Sequence, residues 1–203
     1  MKALIKKNTA YRISILGLLA GLTLLLGLTP IGYIPIGPAN LLTLMCIPTI
    51  IGALALGYRA GMLLGLIFGV TSLITPVGLF LMGNLPLKSQ IPLLATIFVP
   101  RLLVPVCARA VYCLCKGFKT PVAVAIGAVA GSLTNTVLFL GSLYFLCGAD
   151  VAGMAFQVDA GAVVNILLTV AAMNGLIEAA AAAIICTPVI AALFKMKVME
   201  KIQ

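Results

Sequence analysis

An all-α, polytopic membrane protein is expected from this chain: a bundle of six transmembrane helices with both termini cytoplasmic. Three observations lead there. Hydrophobic residues make up 63 % of the 203 and charged residues 8 %, with a mean hydropathy of +1.27. A soluble domain carries about 25 % charged residues, so most of this surface must face lipid. Six apolar runs, at 11–29, 41–58, 60–82, 91–115, 121–146 and 161–194, approach or exceed the roughly 20 residues that cross a hydrocarbon core about 30 Å thick. Finally, the net charge of +9 is distributed by side of the membrane rather than gathered into a patch.

The runs are continuous, which excludes the short alternating segments of a membrane β-barrel. The first run follows Lys2, Lys6, Lys7 and Arg12. It is long and leads into further membrane segments, so it reads as a span and not as a cleaved signal. Next comes TPIGYIPIGPAN at 29–40, an uncharged loop with Pro30, Pro35, Pro38, Gly32 and Gly37. Only Tyr58-Arg59 separates the second run from the third, which carries Gly61, Gly65 and Gly69. GNLPLKSQ at 83–90 leads to the fourth run, where Pro100 and Pro105 are expected to interrupt the helix. Lys116 and Lys119 precede the fifth run, and CGADVAGMAFQVDAG at 147–161 precedes the sixth. The fifth and sixth runs are long enough to tilt or to project beyond the core. Lys195, Lys197 and Lys201 follow the last run.

With six crossings every basic connection falls on one side, which the positive-inside rule makes cytoplasmic. The other connections hold one lysine, Lys88, with Asp150 and Asp159. Loop 29–40 is then extracytoplasmic, on the side with the longer connections, where ligand-facing residues are expected. The length suits one domain, 1–203. The basic excess sets topology and gives no reason to expect nucleic acid.

Several functions are excluded. There is no histidine, no CxxC and no GxxxxGK[ST], so neither an ATPase nor a metal centre is expected. Cys113 and Cys115 sit about 200° apart on a helix, and the six cysteines read as small packing residues. An intramembrane enzyme needs clustered Asp, His or Ser–His groups, whereas only Glu178 is an acid clearly within a run. No internal repeat of a secondary transporter is visible. No cofactor is implied.

Polar groups within spans mark function. The fourth run holds Arg101 and Arg109, the fifth Ser132, Thr134, Asn135 and Thr136, and the sixth Asn174 and Glu178 on one helical face. Arg101, Asn135 and Asn174 each lie about 10–13 residues from the outer ends, or roughly 15–20 Å at 1.5 Å per residue. A shared pocket at one level explains that coincidence. Either arginine could instead pair with Glu178, the asparagines knitting helices together. A second guanidinium left over would match an anionic ligand bidentately. Small residues at helical spacing, Gly17 with Gly21 and the run Gly61, Gly65, Gly69, serve close internal packing or a docking face for a partner's helices.

TPIGYIPIGPANLLTLMCIPTIIGALALGYRAGMLLGLIFGVTSLI resembles the first half of the S components of energy-coupling factor (ECF) transporters. VPRLLVPVCARAVY, GSLTNTVLFLGSLY and NGLIEAAAAAII resemble the same family's later helices. The likeness is greatest to members assigned to pantothenate, with pyridoxine-type, riboflavin and folate members as neighbours. The resemblance implies a non-enzymatic, six-helix subunit of a bacterial cell membrane. It would capture a vitamin from outside and topple to deliver it on joining a transmembrane coupling subunit and two ATPases. It places the pocket among helices four to six under the outer loops. It also implies a small-residue contact to the coupling subunit on the first helix, where Gly17 and Gly21 stand in place of alanines. The expected substrate contacts are Tyr33, Asn40, Arg101, Thr134, Asn135, Asn174 and Glu178. Segment 31–40 would form part of a lid. The alternative for the whole chain is an autonomous secondary transporter.

Overall fold

The computed structural model describes the backbone of residues 2–29, 32–35, 41–84, 87–148, 151 and 161–195. The order is α1 (Lys2–Leu28), β1 (Tyr33–Pro35), β2 (Leu41–Thr43), α2 (Cys46–Leu56), α3 (Tyr58–Ile74), α4 (Pro76–Asn84), α5 (Leu87–Leu114), α6 (Thr120–Ser142) and α7 (Val163–Lys195). A π-helical turn at Leu143–Cys147 extends α6. Among the described residues four helices are long and apolar enough to cross a membrane, or five if the bent pair α3–α4 forms one span. Their outward faces carry leucine, isoleucine and phenylalanine, including Leu18, Phe80, Phe145 and Ile184, as lipid-facing helices require.

The second run departs from expectation. A single helix over 41–58 would place Pro48 inside it, where the missing N–H and ring clash cost about 3 kcal/mol. Instead 41–43 form β2, paired antiparallel with β1 in the register Tyr33↔Thr43, Ile34↔Leu42 and Pro35↔Leu41. The helix starts at Cys46, so Pro48 falls in its first turn. At 11 residues α2 is about 16 Å long, well short of the hydrocarbon core. It is buried at all but one position and packs against α1, α3, α5, α6 and α7.

Gly57 ends α2 at φ 108°, ψ 176°, a conformation essentially reserved for glycine. Its N–H reaches Ala53 O at 3.1 Å. Arginines from two neighbours also cap this end: Arg109 Nη1 donates to the same Ala53 O at 2.7 Å, and Arg12 Nη2 donates to Leu56 O at 2.8 Å. Arg109 also lies 5.2 Å over the Tyr58 ring. These contacts replace the expected option of an Arg109–Glu178 pair.

The third run is likewise broken. Pro76 disfavours helical geometry at Thr75, which is extended at ψ 153°. The axis turns by 63° between α3 and α4, and Thr75 Oγ1 accepts from Gly78 N–H at 3.3 Å. In contrast, α5 runs unbroken through Pro92, Pro100 and Pro105, correcting the expected interruption. Thr96 O, which Pro100 leaves without a helical donor, is taken up within the site described below.

Candidate functional site

Residues of α5, α6 and α7 are joined by a few specific contacts: Arg101 of α5 reaches Phe139 of α6, and Glu178 of α7 reaches Thr136 of α6 and Thr43 of β2. Pro100 cannot donate to Thr96 O, the carbonyl four residues earlier. Arg101 Nη1 donates there instead, at 3.4 Å. The guanidinium carbon sits 4.2 Å from the Phe139 ring centroid on α6 and 5.1 Å from that of Phe68 on α3. Arg101 is 7 % exposed, so its charge is largely removed from solvent, and cation–π attraction is strongest under such desolvation. Pro105 similarly leaves Arg101 O without its helical donor. Gly65 of α3 packs directly against that oxygen, where no Cβ could fit.

Ser132, Asn135, Thr136 and Phe139 recur at i, i+3, i+4 and i+7 on α6, one face of a helix. All are buried except Phe139, which is partly so. Asn135 Oδ1 is buried with no hydrogen-bond partner among the described residues. On α7, Asn174, Glu178, Ala182 and Cys186 recur every fourth residue and are all buried. Gly175 of α7 faces Thr136 of α6. Glu178 Oε1 accepts from Thr43 N–H of β2 at 2.8 Å, and Oε2 accepts from the Thr136 hydroxyl at 3.2 Å. The charge of Arg101 acts on Glu178 through space. Among the described residues Glu178 is thus held by hydrogen bonds from a strand and a helix, where a buried ion pair was one expectation.

A guanidinium is a planar fork that recognises an anion bidentately, and that of Arg101 lies beside two aromatic rings. An amide oxygen lacking a donor on the adjacent helix suits a hydroxyl or amide N–H. The sequence matches the family described as "ECF transporter, substrate-specific component" over residues 11–190. The chain belongs to that family. Among its relatives is a protein named pantothenic acid transporter PanT, from Lactococcus lactis subsp. cremoris (strain MG1363). It is 31 % identical over 163 residues, covering 75 % of this chain and 78 % of the relative.

This ECF substrate-specific component is therefore a transport component of the membrane, and its expected site residues divide into three groups. Arg101, Asn135, Asn174 and Glu178 are all buried on α5, α6 and α7. Thr134 is turned off the polar face of α6, and its hydroxyl donates back to Ala130 O at 2.7 Å. Asn40 and the side chain of Tyr33 lie outside the described residues, as does most of loop 29–40.

Four participants are absent from the expected contacts: Phe68, Phe139, Thr136 and Thr43. Helical spacing could have found two of them, because Thr136 and Phe139 share the face of Asn135 while Thr134 does not. Thr43 left no signal, since its pairing with Glu178 joins positions 135 residues apart.

The glycines divide as well. Gly61, Gly65 and Gly69 are buried against Pro105 and Ala53, Arg101 O, and Phe98 respectively, which corrects the expectation that they form a partner-docking face. They let α3 and α5 pack. Gly17 and Gly21 are exposed, with nothing within 4 Å of where a Cβ would lie.

Proposed function

We propose that this ECF substrate-specific component captures pantothenate from outside a bacterial plasma membrane. It delivers the vitamin by docking to a transmembrane coupling subunit driven by two separate ATPases. In this reading the chain is a single domain that crosses the membrane six times, with the short α2 as one crossing element and both termini cytoplasmic. One observation carries the choice of ligand: the buried Arg101 guanidinium, with its central carbon 5.1 Å from the Phe68 ring centroid and 4.2 Å from that of Phe139. Its donors suit a carboxylate, while Asn135 and Asn174 suit the hydroxyl and amide groups that pantothenate also carries. The 31 % identity to a protein named for pantothenic acid transport supports the same ligand. Tyr33, Asn40 and Thr134 complete the proposed contacts, with segment 31–40 covering the site. Gly17 and Gly21 form the proposed docking face.

Purified protein in detergent, screened by calorimetry against pantothenate, pyridoxine, riboflavin and folate, should bind pantothenate most tightly. Arg101→Ala should weaken that binding by about 10- to 100-fold, the 1.5–3 kcal/mol worth of a hydrogen bond to a charged group. Unchanged affinity in the variant rejects the anionic assignment, and preference for another vitamin rejects pantothenate. A coupling protein and ATPases should copurify; vitamin transport by this chain alone in vesicles would instead identify an autonomous carrier.

A further inference from the structure

Glu178 stands out among the buried polar groups because its oxygens join three elements far apart in sequence. One oxygen receives the main-chain N–H of Thr43 at 2.8 Å and the other the hydroxyl of Thr136 at 3.2 Å. Thr43 is the residue of β2 opposite Tyr33 of β1, and Leu44 N–H bonds to Gly32 O at 3.1 Å. Immediately after β2, Met45 and Cys46 enter the buried core. The carboxylate is thus the polar fastening between the β1–β2 ribbon and the paired helices α6 and α7. It is 5 % exposed, and a partner lost at such depth leaves a desolvated group unsatisfied.

We infer that Glu178 is a positioning residue: as a hydrogen-bond acceptor it locks the β1–β2 ribbon onto α6 and α7, and this lock governs how long bound substrate is retained. The inference rests on the proposed capture function for its second half alone. The lock needs an acceptor and not a charge, because both of its partners are neutral donors. Glutamine keeps one acceptor oxygen for Thr43 N–H, and its amide can donate to the Thr136 hydroxyl. Methionine has similar bulk and removes both acceptors. A carboxylate that served the substrate as a charge would behave differently, with glutamine as harmful as methionine.

Hydrogen exchange of the full-length protein in lipid nanodiscs, without ligand, reads the lock directly. In Glu178→Met the Thr43 amide should exchange at least about tenfold faster than in the parent, as expected when a buried hydrogen bond loses its acceptor. Amides of α3 and α5 should be unchanged, and Glu178→Gln should keep Thr43 protected. With radiolabelled pantothenate, Glu178→Met should release ligand faster with little change in association rate, and Glu178→Gln should release it at the parental rate. Protection of Thr43 undiminished in Glu178→Met overturns the lock, as does its loss in Glu178→Gln. The glutamine variant decides by itself if the methionine variant does not fold. Parental release rates in a Glu178→Met protein whose Thr43 is deprotected overturn the link to retention. If the parent binds no pantothenate, the exchange measurement still tests the lock, and only the capture assignment fails.

Discussion

Gly65→Ala is expected to damage folding and binding together, because of where the added methyl must go. The glycine faces Arg101 O, a main-chain atom of α5 that cannot rotate aside, and the new Cβ would fall well inside contact distance. A carbon rarely approaches an oxygen closer than about 3.2 Å, so α3 and α5 must separate by roughly 1 Å at this point, and overpacking of that kind costs about 1–3 kcal/mol. Rigid backbone on both sides favours the upper end. For a chain of this length about 3 kcal/mol corresponds to a fall in Tm of about 6–12 °C. The displaced carbonyl belongs to Arg101, whose guanidinium lies beside rings on α3 and α6. Functional groups must be held to within about 0.5 Å, so pantothenate affinity should fall by about tenfold or more. Tm of the detergent-purified protein, read by intrinsic fluorescence or dye labelling of buried cysteines, and Kd by calorimetry test both parts. A variant that melts and binds like the parent would refute the close packing of Gly65 on α5.

Gly57→Ala should lower stability by about 1–3 kcal/mol, since φ 108° with ψ 176° suits glycine almost alone; an unchanged Tm would place the chain reversal after α2 elsewhere. Phe139→Leu removes one of the two rings beside Arg101. A desolvated cation–π contact is worth about 2 kcal/mol, so affinity should drop up to about 30-fold while ligand order among the vitamins is preserved. Gly17→Leu and Gly21→Leu meet open space and should leave Tm and pantothenate binding at parental values. Copurification of the coupling subunit should decline in both, and retention of the partner would remove α1's glycine face from the proposed docking surface.

Membrane residence was legible in the chain because it is a property of composition: lipid cannot hydrate charge, and few charges are present. The runs at 11–29, 91–115, 121–146 and 161–194 each lie largely within one helix of the structure, since their apolar length leaves little alternative in a bilayer. The same runs placed Arg101, Asn135 and Asn174 on three separate helices, α5, α6 and α7, where all three are buried.

Proline was where local reading went astray in both directions. Pro48 and Pro76 redefine helix starts, moving 41–43 into a strand and bending 60–82 at Thr75. Pro100 and Pro105 leave α5 intact: Arg101 of the same helix donates to the Thr96 carbonyl that Pro100 orphans, and Gly65 lets α3 pack against Arg101 O. What surrounds a proline bears on whether it ends a helix, and part of those surroundings is set by tertiary packing. The glycine stripes carry the same lesson. Gly17-x-x-x-Gly21 and Gly61-x-x-x-Gly65 are alike as text, yet one faces outward and the other lies under α5.

Hydropathy and charge placement, summed over many residues, are enough to put this chain in a membrane and to single out its rare polar side chains. Partner choice is different: Glu178 meets a strand N–H 135 residues away, and Arg109 caps α2. Such pairings depend on distances between helices, which follow from how side chains of different size fill the space between them, and only the folded bundle contains that information.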